Sequence, residues 1–296
     1  MIIEKNMSEF SDNLDKSIQV TNSIVAFIDV LGFSELIEEV RTDENEQNKR
    51  LNNFYQAINP SFNYLRGTAE FTQKHPFPEK CHVKIFTDNI AFSWALSDHR
   101  NGDIEIWQAL KNLAFYQSGL AIYGYFSRGG IEIGKVYSDR TTLFGWPIIE
   151  AVRLEKEKSF FPRVIFGQSF VERVIPKLKS LNYPLDTPIS HLIVKSIDGE
   201  YFLNYLYTIK DMNDDMIDQE FPSNEYYKPS IDELKMHKIE IMGNLKKFDN
   251  LDSNKFRKYH WLGQYHNYFC SEYFCDEPSL IIDEISTSKI FSYPFE

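Results

Sequence analysis

Cysteine is scarce in this 296-residue chain: there are three, Cys81, Cys270 and Cys275. An odd and sparse set argues against a disulfide framework and for free thiols in a reducing compartment. Cys270 and Cys275 lack a second ligand pair at zinc spacing, so a structural zinc site is not expected. No run of roughly 18 apolar residues occurs, and so no transmembrane helix is expected. Residues 1–20 are polar and mixed in charge, with no apolar core of a signal peptide; they read as a loose tail of a cytoplasmic protein. Basic residues are outnumbered, 32 Lys and Arg against 43 Asp and Glu, for a net charge of −11. That balance disfavours duplex nucleic acid or an anionic membrane as the main partner. It leaves a nucleotide open, because metal ions neutralise a triphosphate locally. Internal repeats and low-complexity segments are also missing.

What is present begins with a core: 43% of residues are hydrophobic and 25% charged, ordinary for a folded soluble domain. The organising stretch is Ser23-Ile-Val-Ala-Phe-Ile-Asp29-Val-Leu-Gly-Phe-Ser-Glu-Leu-Ile37. Residues 24–28 form an apolar, β-prone run, as in a strand covered on both faces. Asp29 interrupts it, and a carboxylate at the end of a buried strand is costly unless something pairs with it. Gly32 lets the backbone turn, and Ser34 is placed to cap a helix over 35–40. The carboxylate suits a divalent cation, and the N–H groups of Leu31, Gly32, Phe33 and Ser34 suit phosphate. The plain alternative is a strand, a glycine turn and an ordinary cap.

A second stretch, His82-Val-Lys84-Ile-Phe-Thr-Asp88-Asn89-Ile-Ala-Phe-Ser-Trp94, reads as a hairpin turning at Asp88-Asn89. Period two puts Lys84, Phe86 and Asp88 on one face. Between the two stretches, 45–66 has helical spacing that Pro60 would kink or split. An amphipathic helix over 104–124 follows the hairpin, with Trp107, Leu110, Ala114, Leu120 and Ala121 along one side. Then come a glycine-rich strand over 128–137, a helix over 148–161, a strand over 163–167 and a helix over 170–181 capped by Ser169. Gly129, Gly130 and Gly134 weaken their strand unless another backbone or a ligand approaches closely. The order predicts a mixed α/β (α+β) fold with a ferredoxin-like βαββαβ core.

Residues 182–296 form an extension to this 21–181 unit. Residues 191–205 predict a hairpin turning at Asp198-Gly199, and 211–218 an acidic loop. Leu234, His237, Ile241, Leu245 and Phe248 repeat along one helix, and Tyr259, Leu262, His266, Phe269 and Tyr273 along the next. The break at 249–253 predicts an antiparallel pair, packed on the sheet or on a partner chain. His260 and His266 lie six residues apart and do not share a helix face, so they are read as structural.

The pair Phe-Ile-Asp29-Val-Leu-Gly-Phe-Ser and Lys84-Ile-Phe-Thr-Asp88 resembles the class III nucleotidyl cyclases. The resemblance continues through Ser127-Arg128-Gly-Gly-Ile-Glu-Ile-Gly134 and Phe144-Gly145-Trp-Pro-Ile-Ile-Glu-Ala-Val-Arg153-Leu-Glu155, covering roughly residues 22–172. It implies a nucleoside triphosphate substrate, two divalent cations (Mn2+ or Mg2+) held by Asp29, Asp88 and the Val30 carbonyl, and β- and γ-phosphates on the N–H groups of residues 31–34. It implies that Arg128 contacts phosphate and that Arg153 stabilises charge at the α-phosphate in the transition state. Their plain alternatives are a surface salt bridge and a solvated arginine. The family's asparagine four residues before that arginine is Ile149 here, which puts ribose positioning in doubt. The resemblance further implies a head-to-tail homodimer whose sites lie between subunits.

Two positions bear on the base. Lys84 stands where adenylyl cyclases keep a purine-contacting lysine, and Trp146 where they keep an aspartate that accepts from adenine. Tryptophan cannot accept that hydrogen bond, so an adenine pocket is spoiled, and guanylyl cyclases usually carry an acidic residue at the Lys84 position. The motif set, Ile149 and the segment Tyr259-His-Trp-Leu-Gly-Gln-Tyr-His266-Asn resemble the bacterial pyrimidine cyclases of Pycsar antiphage systems. That implies a cyclic UMP or cyclic CMP signal, read by a separate effector protein. UTP is the expected substrate, since the ammonium of Lys84 donates to uracil O4 and meets a donor at the same place in cytosine. Trp146 and one of Phe54 or Tyr55 are expected to narrow the pocket against purines. A divergent purine cyclase and a catalytically dead nucleotide-binding module are the alternatives.

Overall fold

A computed structural model describes residues 18–75, 80–181, 187–211, 231–248, 253–286 and 290–295. The expected tail over 1–17 and nearly all of the expected acidic loop lie outside these residues.

The central strand is β1 (Thr21–Val30), longer at both ends than its apolar run, with Ile24, Val25 and Ala26 fully buried. It is followed by α1 (Phe33–Glu38), α2 (Glu44–Lys74), β2 (Cys81–Phe86), β3 (Asn89–Ala95), α3 (Asp103–Ala121) and β4 (Ser127–Ser138). Next come β5 (Leu143–Phe144), α4 (Trp146–Glu157), β6 (Val164–Phe166) and α5 (Gln168–Lys179). The strands run β2-β3-β1-β4, with β1 antiparallel to both β3 and β4. This is the expected βαββαβ arrangement, and β6 adds to it parallel to β4.

The sheet then runs on. After α6 (Pro188–His191) come β7 (Ile193–Ser196) and β8 (Tyr201–Leu203), the hairpin expected from Asp198-Gly199. Asp198 also forks onto the guanidinium of buried Arg163, which ties the turn to the end of the loop before β6. β8 pairs with β6, and β9 (Phe291–Ser292) pairs with β7, so among the described residues one nine-stranded sheet crosses the expected 181/182 boundary. After α7 (Tyr207–Asp211), helices α8 (Ile231–Lys247) and α9 (Asn254–Tyr273) are the expected pair. They meet through His237 and His266, whose Nδ1 atoms are 3.0 Å apart. They pack on the sheet, with Trp261 and Tyr265 of α9 edge-on to Phe202 of β8.

Several local expectations need correction. Pro60 does not split its helix: α2 is continuous for 31 residues. The Asp43 side chain starts it by accepting from the N–H groups of Asn45 and Glu46. Its last turn is held because Thr72 Oγ1 accepts the N–H of Cys81 at 3.1 Å. α3 is buried on almost all sides rather than amphipathic; Asn112 Oδ1 accepts from Thr68 Oγ1, and Gln117 Nε2 donates to the Ser127 carbonyl while its Oε1 is left without a partner among the described residues. Ser34 and Ser169 are not caps. Gly32 precedes α1, and the N-terminus of α5 is capped by buried Glu132, which accepts from Phe170 at 2.9 Å and Ser169 at 3.3 Å. Close approach explains Gly130 of β4: a Cβ there would lie 2.5 Å from the Ala151 carbonyl of α4. A helix therefore sits directly on the strand that carries Arg128.

Candidate active site

Asp29 is the ninth residue of β1, and its register partners are Asn89 on β3 and Arg128 on β4. Sheet pairing alone therefore brings three sequence-distant segments together. The β2–β3 turn comprises Thr87 and Asp88, one residue earlier than expected, since Phe86 pairs with Asn89. Thr87 has φ 55, an uncommon conformation for a β-branched residue, and its hydroxyl lies 2.8 Å from Asp88 Oδ1. The Asn89 amide lies 3.2 Å from the same oxygen, so the turn itself orients this carboxylate.

Arg128 Nε lies 3.5 Å from Asp29 Oδ2, and Arg128 Nη2 lies 2.6 Å from Glu155 Oε1. Glu155 is the residue that the sequence reading passed over. It is 3% exposed on the inner face of α4, four residues after buried Ala151. That helical spacing was the signal that could have found it. Burial pushes the carboxyl of Asp29 up to about 6, the negative charges of Asp88 and Glu155 push the same way, and Arg128 offsets part of the rise. Asp29 and Asp88 are held within reach of each other's charge, and Arg128 is shared between Asp29 and Glu155.

Oxygen donors of this kind suit Mg2+ or Mn2+. Among the described residues, no group of three or more His, Cys, Asp or Glu side chains could hold a metal by itself. The residues expected to donate, Asp29, Asp88 and the Val30 carbonyl, would leave the remaining positions to water and phosphate. This is how Mg2+ is usually held with a nucleotide.

The other expected residues are distributed as follows. The N–H of Leu31 is bonded to the Phe126 carbonyl at 2.8 Å and is not a free phosphate donor, a correction to the expected set. Gly32, with φ 76, and Ser34 are exposed, and Phe33 packs on Phe54 with ring centroids 4.3 Å apart. Phe54 is core, 6% exposed, while Tyr55 points to solvent. Lys84 is half-buried on β2 and donates to the Asp139 carbonyl at 2.7 Å, which engages one of its three N–H bonds. Trp146 and Ile149 are 67% and 57% exposed on α4. Arg153 follows on the same exposed stripe and pairs with Glu150 and Glu157, about 200° around the helix from Glu155. Arg128 therefore joins Asp29 within one chain, whereas Trp146, Ile149 and Arg153 face away from it.

No family model and no curated protein sequence matches the chain. Among solved structures it is similar to a bacterial light-regulated adenylyl cyclase at 15% identity and a TM-score of 0.36, covering 77% of this chain and 58% of that one. A second structure of a bacterial light-regulated adenylyl cyclase is similar at 14% identity and a TM-score of 0.37, covering 81% of this chain and 66% of that one. The chain spans less than two thirds of either. Among the described residues, no helix is long and apolar enough to cross a membrane.

Proposed function

We propose that this protein is a nucleotidyl cyclase of the class III kind, converting UTP to 3′,5′-cyclic UMP and diphosphate. The observation that carries the reading is the pairing of Asp29 with Asn89 across β1 and β3, which sets Asp88 beside Asp29 at one end of the sheet. In the reaction the ribose 3′-oxygen loses its proton to solvent water and bonds to the α-phosphorus, and the bond from that phosphorus to the diphosphate oxygen breaks, releasing diphosphate. Asp29, Asp88 and the Val30 carbonyl would hold two divalent cations, whose chemistry when bound would be activation of the hydroxyl and neutralisation of charge on the diphosphate. Arg128, steadied by Glu155, is placed to take a phosphate oxygen.

The face of α4 bearing Trp146, Ile149 and Arg153 belongs to the site of a second copy. The exposed tryptophan and isoleucine supply apolar surface for that contact, and Arg153 supplies positive charge where the α-phosphate becomes more anionic. Residues 21–181 make up the catalytic unit and 182–296 its extension. On this reading the cyclic nucleotide is an antiphage second messenger read by a separate effector, and the enzyme works in the cytoplasm.

Incubation of the purified protein with Mn2+ and each of the four ribonucleoside triphosphates tests the proposal. Cyclic UMP is the expected product. Cyclic CMP would leave the cyclase and correct the base, a purine product would make it a divergent purine cyclase, and no product from any of the four would leave only a nucleotide-binding module.

A further inference from the structure

The candidate site also receives a cation from a helix more than a hundred residues away in sequence. α9 crosses the exit of β1. Its Tyr259 ring meets the Phe126 ring edge-on at 5.8 Å, and Phe126 is the residue whose carbonyl binds the Leu31 N–H. One turn earlier, Lys255 is ion-paired with Glu35 of α1. Lys258 lies between these anchors, half-buried, with its ammonium 5.4 Å from the centroid of the Phe160 ring. The loop that carries Phe160 runs beside Arg128, because the Arg163 carbonyl accepts the Gly129 N–H at 3.1 Å.

Lys255 and Arg128 have carboxylate partners, while Lys258 makes no ion pair among the described residues. Burial and then the Arg128 charge push its ammonium down from the usual lysine range, and Glu35 and Asp29 act from the other side. A chain of net charge −11 thus gathers Arg128, Lys255 and Lys258 at one end of its central strand, and Lys258 alone of the three makes no ion pair among the described residues. A half-buried cation beside a second cation is unfavourable unless an anion comes between them.

We propose that Lys258 is a substrate-binding residue, taking a phosphate oxygen of the nucleoside triphosphate between its ammonium and the guanidinium of Arg128. The inference rests on the cyclase reading and deepens it: part of the triphosphate pocket is built in the same chain by the C-terminal helix pair. The extension then completes the site rather than merely covering the sheet, and substrate contact reaches α9 directly.

The test is calorimetric titration of the full chain with inorganic tripolyphosphate in the presence of Mn2+. It compares the wild type with Lys258→Met, Lys258→Gln and Lys258→Arg, whose folding is checked by thermal melts. Loss of one charged contact to phosphate should weaken binding by roughly ten- to a hundredfold in both neutral variants. Lys258→Arg should bind within a fewfold of the wild type, and in the neutral variants KM for the nucleotide should rise more than kcat falls. Unchanged affinity in a folded neutral variant would overturn the proposal, as would an arginine variant as weak as the neutral ones. The cyclisation assay stands apart: a wild type that binds tripolyphosphate through Lys258 but makes no cyclic nucleotide removes the cyclase reading and not the lysine contact.

Discussion

Asp29 and Asn89 sit opposite each other in the β1–β3 ladder, and that register sets Asp88, the last residue of the hairpin turn, beside Asp29. A one-residue slip would turn every β3 side chain to the other face and carry the turn carboxylate away. Because two carboxylates are the minimum for two shared cations, Asp29→Ala or Asp88→Ala should each abolish cyclic nucleotide formation. Size-exclusion chromatography with light scattering should show the same oligomeric state as the wild type. Wild-type-like turnover in either variant would remove the metal assignment.

Asp29 gives a pH prediction for the metal-free protein. Its folded pKa of about 6 lies above the ordinary 3.8, so between these values the folded state binds more protons than the unfolded one. Its contribution to stability therefore falls as pH rises through that window and is lowest above pH 6. Asp29→Asn should raise the urea midpoint in EDTA at pH 7.5, with the gain shrinking toward zero near pH 4. A gain independent of pH would show that Asp29 is not strained by its neighbours.

Glu155 holds Arg128 from the buried side of α4, at 2.6 Å. Glu155→Gln keeps the shape and removes the charge, leaving a guanidinium with one weaker partner. Folding stability should drop by about 1–3 kcal/mol in urea titrations. KM should rise as Arg128 loses its aim at phosphate. No change in either quantity would make the pair incidental.

Among the described residues Arg153 pairs only with Glu150 and Glu157, on an exposed face. If it serves the site of a second copy in the transition state, Arg153→Ala should lower kcat by at least about tenfold while KM moves little. A defect in KM alone would assign it to ground-state phosphate binding instead.

The base preference is tested by equal UTP and CTP in competition. Lys84 carries only donors, and an unpaired buried donor costs about 1–3 kcal/mol, roughly ten- to a hundredfold in selection. UTP should win in the wild type, and Lys84→Met should lose that margin. Since one N–H of Lys84 already serves the Asp139 carbonyl, an unchanged product ratio would assign the lysine to holding the loop between β4 and β5.

Much of the fold was legible in the sequence because local rules decide it. The apolar run before Asp29, the Asp198-Gly199 turn and the alternation in the hairpin over 82–94 each carry their own period or turn chemistry, and the order of elements followed from them. Asp29 and Asp88 were legible for a related reason: a carboxylate at the end of an apolar strand breaks the local pattern. What tertiary structure decided was every contact whose partners lie far apart in the chain. Sequence spacing could not show that Glu132 would cap α5 in place of Ser169, because capping by a distant side chain leaves no local signature. Nor could it show that Leu31 would bind the Phe126 carbonyl, that Glu155 would hold Arg128 or that Lys258 would reach the exit of β1. Charges are placed by packing, and a lysine on a polar stripe of α9 reads as solvated until the sheet it covers is known.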